Sequence, residues 1–189
     1  AWCETKMGQF DTAIDHFSAV LNVLETLEGR EADSARCLWR LGQTHWNRGD
    51  DAKGEAYTLF IRALKKDSSY APAFTSLGLY YLEYSSPPDP VRASKCFQKA
   101  FELDPREALA AKHLAEGFAN EREWDLVEVV VRRTIEGEGG MEAASKTITE
   151  AGLSEMPTNS WAWKALGVVE LVCLSMRIIN KLELTSSDY

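Results

Sequence analysis

Apolar side chains recur at the spacing of an amphipathic helix along most of this 189-residue chain. From Phe10 to Leu21 they fall at positions i, i+3, i+4 and i+7, with polar residues between them. Similar apolar stripes follow, separated by short segments rich in glycine, proline and aspartate. Because residues at this spacing share one face of a helix, the pattern predicts an all-α chain of short helices.

Two short patterns recur within these stripes. In the first, an apolar residue is followed three positions later by leucine and then by a small residue. Its copies are Leu38, Leu41, Gly42; Phe74, Leu77, Gly78; Ala111, Leu114, Ala115; and Trp163, Leu166, Gly167. The second pattern is Ala-x-x-x-Phe-x-x-Ala/Val, with the copies Ala13, Phe17, Val20; Ala56, Phe60, Ala63; and Ala93, Phe97, Ala100. Interleaved patterns of this kind are typical of a tandem helical repeat.

The small residue of the first pattern is expected where two helices touch. Helix axes pack about 8–10 Å apart, and a small side chain lets the backbones approach that closely. We expect the phenylalanines to fill the space between one repeat and the next. The repeated patterns therefore predict stacked helix pairs that bury one face on their neighbours and offer the other to partners.

The spacing of the small residues predicts how the chain is organised. The intervals are 36 and 37 residues and then 52, which leaves room for one additional helix. We predict the second half of a repeat at 1–28, repeats at 34–68 and 70–105, a divergent repeat at 106–138, an extra helix at 141–153, the first helix of a repeat at 158–172 and an atypical tail at 173–189. This array is truncated at both ends, so we expect exposed apolar surface between Leu166 and Leu174.

These patterns resemble the tetratricopeptide repeat, a helix-turn-helix unit of 34 residues. Residues 74–105 match a whole unit and residues 163–167 match its opening, whereas Val127 and Val131 depart from the family's Ala and Phe. The resemblance implies a right-handed superhelical solenoid. The structural repeat positions it implies are Leu41, Gly42, Ala56, Phe60, Ala63, Phe74, Leu77, Gly78, Ala93, Phe97, Ala100, Pro105, Leu114, Ala115, Trp163, Leu166 and Gly167.

A narrower resemblance concerns the large tetratricopeptide subunits of superkiller complexes. The segments 124–135 and 157–167 are similar to that family, as are residues 35–43 and 70–74. The resemblance implies a non-catalytic scaffold that holds an RNA helicase and WD-repeat subunits and supports 3′-to-5′ mRNA decay by the exosome. It also implies a cytoplasmic location, with the nucleus as an additional one, and contact with RNA through partners.

Charge and composition narrow the function classes. The chain has 21 basic and 29 acidic residues, a net charge of −8, so direct DNA binding is not expected because phosphate contact needs clustered Lys and Arg. Basic spots at Arg132-Arg133 and at Lys95 with Lys99 are interpreted as solvated helix faces. The tryptophans that could stack on RNA bases are expected mostly to pack in the core; they are Trp46, Trp124, Trp161 and Trp163.

The sequence indicates no disulfide, metal site, membrane span or secretory signal. The cysteines Cys3, Cys37, Cys96 and Cys173 are far apart, which predicts buried reduced thiols, no disulfide and no metal site. No segment reaches the ~20 apolar residues that span a bilayer, so no membrane partner is expected. No secretory signal opens the chain, and because its first residue is Ala1, its N-terminus is interpreted as incomplete.

Two other function classes remain open as alternatives. A chaperone-adaptor domain would clamp an acidic C-terminus with Lys and Asn side chains on first helices, but those places hold Gln43, Leu79, Glu116, Val168, Trp39, Thr75, Lys112 and Lys164. An enzyme would need a catalytic group, yet His16, His45 and His113 lie in different repeats with no nucleophile pattern beside them. We therefore predict no catalytic residues, no metal ligands and no cofactor.

Overall fold

The structure, a computed structural model, describes residues 1–136 and 160–186, with side chains up to residue 175. Within these ranges every regular element is a helix, which confirms the predicted all-α class. The chain divides into two compact units, Ala1–Ala110 and Ala111–Tyr189, called unit 1 and unit 2 here. Each unit is described by itself.

Unit 1 is a series of helix pairs in which each helix packs against the next. The pairs are joined by short turns, and Asp50–Ala52 forms a 3-10 turn before the fourth helix. Helix α1 also contacts α3, so the two lie side by side. The helices are α1 (Trp2–Lys6), α2 (Phe10–Glu25), α3 (Glu31–Arg48), α4 (Lys53–Lys66), α5 (Ala71–Glu83) and α6 (Pro90–Leu103).

The helix boundaries follow from local sequence. Gly8 follows the C-cap residue of α1 with φ 78°, in the left-handed region that favours glycine, and so ends α1. Gly29, with φ 74°, lies in the turn between α2 and α3. The Asp89 side chain accepts a hydrogen bond from the Arg92 amide and caps α6. Pro72 and Pro90 stand in the first turns of α5 and α6, where the missing amide hydrogen costs nothing.

Unit 2 contains most of α7 (Ala108–Asn120), together with α8 (Trp124–Glu136) and α9 (Ser160–Ser186), and α8 packs against α9. Helix α9 is 27 residues long, whereas the sequence predicts a helix that ends at 172 and a fraying tail at 173–189. The helix continues because residues 173–186 contain neither glycine nor proline to end it. The extra helix predicted at 141–153 lies outside the described residues.

Candidate interaction surfaces

The repeated patterns of unit 1 bring glycines against phenylalanine rings. A Cβ atom added to Gly42 would lie 2.6 Å from Cε1 of Phe60, and one added to Gly78 would lie 2.5 Å from Cε1 of Phe97. Phe60 and Phe97 are 0% and 3% exposed, so each ring fills the space between two helices. The other repeat positions of this unit are buried, apart from half-buried Phe74; they are Leu41, Ala56, Ala63, Leu77, Ala93, Ala100 and Pro105.

In unit 2 the repeat positions are divided between buried and exposed sites. Leu114 and Ala115 are buried, but Trp163 is 46% exposed and no atom lies within 4 Å of a Cβ added to Gly167. The first pattern thus fails to predict the packed face of α9, which centres on Ala162 and Val169 instead. Which face of α9 is buried depends on the side chains that pack against it, and the local sequence of α9 does not specify these.

Helix α9 exposes a group of large apolar side chains. Val168, Leu171 and Leu174 are each at least 50% exposed, next to the exposed Trp163. This is the apolar surface that the sequence predicts between Leu166 and Leu174.

A groove of about 320 Å³ in unit 2 adjoins this surface. Its lining is mostly apolar, and the indole Nε1 of Trp161 is buried there without an acceptor among the described residues. Charged groups reach its rim from α7, where the Lys112 ammonium lies 3.6 Å from a Glu116 carboxylate oxygen. The lining residues are Lys112, Ala115, Glu116, Ala119, Trp124, Val127, Trp161, Ala165 and Val168.

The histidines are dispersed, each beside a carboxylate. The Nδ1 atoms of His16 and His113 lie 2.9 Å from Glu4 and 3.5 Å from Glu116. His45 Nδ1 lies 2.8 Å from a Glu55 oxygen, although the geometry is not that of a hydrogen bond. Burial lowers the pKa of His45, and the Glu55 carboxylate opposes this shift.

The four cysteines differ in exposure, which corrects one prediction. All four thiols are free, and burial raises the pKa of Cys37 and of Cys96. Cys37 is buried as expected, but Cys3 is exposed and Cys96 and Cys173 are half-buried, which corrects the expectation that every cysteine is buried. Within the described ranges, no three His, Cys, Asp or Glu side chains come together as a metal site.

A row of aromatic rings crosses the face that α1, α3 and α5 share. Trp2 of α1 lies 6.4 Å from Trp39 of α3, whose ring lies 5.8 Å from Tyr70 at the start of α5, measured between centroids. Trp39 Nε1 and Gln43 Nε2 both donate hydrogen bonds of 2.9 Å to Ser76 Oγ. These bonds join α3 to α5, and the row of rings thus connects α1, α3 and the start of α5. We call the face that this row crosses the aromatic face.

Cations border the aromatic face. The Arg40 guanidinium and the Lys6 ammonium lie 5.2 and 5.0 Å from the Trp2 ring centroid, within cation–π distance. Burial raises the pKa of Tyr70, and the nearby Arg36 and Arg40 oppose the rise. Sequence reasoning missed Arg36 and Arg40 because two arginines on a helix look like an ordinary solvated face.

Glu107, near Tyr70 and Thr75, makes stability depend on pH. Burial and the nearby Asp104 raise its pKa above the ordinary 4.5, and Thr75 opposes the rise. Because the folded pKa exceeds the unfolded one, the stability that Glu107 contributes is present below pH 4.5 and is lost as pH rises through the folded value.

We expect Glu107→Gln to raise the free energy of unfolding at neutral pH and to leave it nearly unchanged below pH 4.5. Urea unfolding of both proteins at the two pH values measures this difference. The exposed Glu28→Gln serves as the control and should show no such pH-dependent gain. Equal stability of Glu107→Gln and the unmodified chain at neutral pH would contradict the assignment.

Comparison with known proteins identifies relatives that match most of the chain. The chain is 38% identical to Superkiller protein 3 of Schizosaccharomyces pombe and 29% identical to Superkiller protein 3 of Saccharomyces cerevisiae, over 90% of its own length in each case. It is also 29% identical to Tetratricopeptide repeat protein 37 of Xenopus laevis, over 82% of its length. No protein-family model matches the chain.

The matches cover 11%, 12% and 9% of those three relatives, so the chain spans about a tenth of their length. None of the described helices is both long enough and apolar enough to cross a membrane.

Proposed function

We propose that this chain, which belongs to the tetratricopeptide repeat family and is a relative of Superkiller protein 3, is part of a non-catalytic protein-interaction scaffold. The observation that carries the proposal is the 38% identity to Superkiller protein 3 over 90% of the chain. The helix pairs of unit 1 support it, because stacked pairs leave extended surfaces to which partners bind.

The assembly we propose is a superkiller complex. The scaffold holds an RNA helicase and WD-repeat subunits in the cytoplasm and thereby supports 3′-to-5′ mRNA decay by the exosome. RNA contact is assigned to the partners, since the net charge of −8 disfavours direct phosphate binding.

A chaperone-adaptor function is the alternative and has less support. Trp39 and Gln43 stand where a clamp for a terminal carboxylate would place Lys or Asn, and both donate hydrogen bonds to Ser76. Lys112, a first-helix lysine, is paired with Glu116. A carboxylate ligand would meet repulsion from Glu116.

Affinity capture of the protein that contains this chain, from cells of its source organism, tests the proposal. Mass spectrometry should identify an RNA helicase and a WD-repeat protein in stoichiometric amounts. Capture of heat-shock chaperones without those two subunits would favour the adaptor function and overturn the scaffold proposal.

A further inference from the structure

We propose that Tyr57 and Tyr80 form an oxidative cross-linking site, at which a one-electron oxidant joins the two phenol rings by a carbon–carbon bond. Tyr57 belongs to α4 and Tyr80 to α5, so the bond would connect the helix pair α3–α4 to the pair α5–α6. The inference goes beyond the scaffold function, because it depends neither on a partner nor on the assembly that contains the chain.

The first observation is the distance between the two rings. The ring centroids of Tyr57 and Tyr80 lie 4.6 Å apart, with an angle of 32° between the ring planes. This separation is near the short end of the range for paired aromatic side chains, and the tilt brings one edge of each ring closer than the centroids. Because the fold holds the two reacting groups together, their coupling is an intramolecular step. Both side chains are half-buried, so a small oxidant can reach them.

A third tyrosine supports the radical that the reaction needs. The hydroxyl oxygen of Tyr81 lies 3.2 Å from that of Tyr57, within hydrogen-bond distance. This hydrogen bond and burial raise the pKa of Tyr81 to about 12, so Tyr81 keeps its proton. A protonated phenol can donate a hydrogen bond to the oxygen of an oxidised Tyr57 and thereby stabilise the phenoxyl radical.

Cations distinguish this pair from the close pair that Trp46 and Tyr84 form. The Lys53 ammonium lies 3.9 Å from the Trp46 ring centroid and 4.4 Å from that of Tyr84, where the electron-rich ring faces attract it. Removing an electron from such a ring replaces attraction by repulsion, so both rings are harder to oxidise. Among the cation–π contacts of the described residues, none involves Tyr57 or Tyr80.

The neighbouring thiol of Cys96 is a weak competitor for the oxidant. Cys96 lies close enough to Tyr81 to contribute to the raised pKa of that phenol. Burial also raises the pKa of Cys96 itself, so the group is a protonated thiol at neutral pH. Because the thiolate is the reactive form of cysteine, oxidation at this position is disfavoured.

The reaction balances with two equivalents of a one-electron oxidant, such as the carbonate radical, each of which becomes carbonate. Each phenol gives up one electron and its hydroxyl proton and becomes a phenoxyl radical. The two radicals couple through ring carbons next to the phenol oxygens, and each of these carbons then passes its hydrogen to an oxygen as a proton. The product is a pair of phenols joined by one carbon–carbon bond, with two protons released to solvent.

Photo-oxidation of the 189-residue chain with tris(bipyridine)ruthenium and persulfate, which supply a one-electron oxidant, tests the inference. Trypsin places Tyr57 in the peptide 54–62 and Tyr80 in the peptide 67–92. We expect dityrosine fluorescence to appear, and mass spectrometry to find these two peptides joined with the loss of two hydrogen atoms. Fragment ions should place the link at Tyr80.

Conservative substitutions locate the cross-link. Tyr57→Phe and Tyr80→Phe should each abolish the joined peptides, because phenylalanine lacks the hydroxyl group from which the radical forms. Tyr84→Phe changes another tyrosine of the peptide 67–92 and should leave their yield unchanged. Circular dichroism melts check that each variant is folded; for one that is not, the fragment ions of the unmodified chain decide.

Two further measurements examine the link itself. A mixture of isotope-labelled and unlabelled chains should give joined peptides that both come from the same chain. The cross-linked monomer should unfold at a higher urea concentration than the uncross-linked fraction of the same reaction, because a bond between residues 57 and 80 restricts the unfolded chain.

Four outcomes would overturn the inference: an oxidised chain without the joined peptides, a link at a tyrosine other than Tyr80, joined peptides only from two different chains, or an unchanged urea midpoint of the cross-linked monomer. None of these would affect the subunits recovered by affinity capture. Failure of this inference is therefore distinguishable from failure of the scaffold proposal.

Discussion

Replacing Phe60 with alanine is expected to lower the free energy of unfolding by about 3–5 kcal/mol. Phe60 is 0% exposed and packs with Ala56 and Leu77 in the core, with the Trp46 ring 6.4 Å away between centroids. The substitution removes a whole ring from between α3 and α4, and the surrounding helices can close the resulting cavity only in part.

Urea denaturation followed by circular dichroism measures this loss. Val23→Ala, at a position of α2 that is 60% exposed, is the control and should change the free energy of unfolding by less than about 0.5 kcal/mol. If Phe60→Ala lowered the free energy of unfolding no more than the control does, the Phe60 ring would not hold α3 and α4 together. The packing described for unit 1 would then be wrong.

Replacing Gly78 with alanine should destabilise the chain by about 1–3 kcal/mol, although alanine is the better helix former. The new methyl group would lie 2.5–2.8 Å from three atoms of the Phe97 ring, too close for ordinary contact. Either the ring leaves its position or α5 and α6 move apart, and both disturb a buried contact.

Gly54→Ala is the matched control for this substitution. Gly54 is also a helical glycine of unit 1, but nothing lies within 4 Å of a Cβ added to it. We expect Gly54→Ala to be neutral or to stabilise by up to about 1 kcal/mol. Thermal and urea unfolding should thus show a lower free energy of unfolding for Gly78→Ala and an unchanged or higher one for Gly54→Ala. A stabilising Gly78→Ala would contradict the close packing of α5 and α6.

Helical periodicity sufficed to predict the helix pairs of unit 1. The Leu-Gly pattern of α5 predicted a small residue where two helices touch, and Gly78 does lie against a neighbouring helix. The phenylalanines were expected between one repeat and the next, but the Phe97 ring packs against Gly78 of its own repeat. The pattern marks which residues are buried, whereas it does not say which neighbour each of them meets. The pairs also begin and end near glycine, proline and aspartate, whose local effects do not depend on distant residues.

Helical periodicity predicted less about which side chains are buried in unit 2 and about the aromatic face. Trp163 matches the opening of a repeat but is 46% exposed, since burial is decided by neighbours that the local pattern does not specify. The sequence around Arg40 does indicate an arginine without a carboxylate partner on its own helix. No acidic residue stands three or four positions away, and Arg36 is a like charge four positions before it. The aromatic row that joins α1, α3 and α5 could not be predicted, because its members are far apart in sequence.

A double-mutant cycle on Gly78 and Phe97 tests most directly whether the repeated patterns build the scaffold by fitting glycine against phenylalanine. The cycle compares Gly78→Ala, Phe97→Leu and the double variant by urea unfolding. We predict that the double variant loses less free energy of unfolding than the two single variants lose together, by about 0.5–3 kcal/mol. The reason is that the smaller leucine leaves room for the new methyl group. Additive effects, within about 0.5 kcal/mol, would show that the two positions do not interact and would contradict the account.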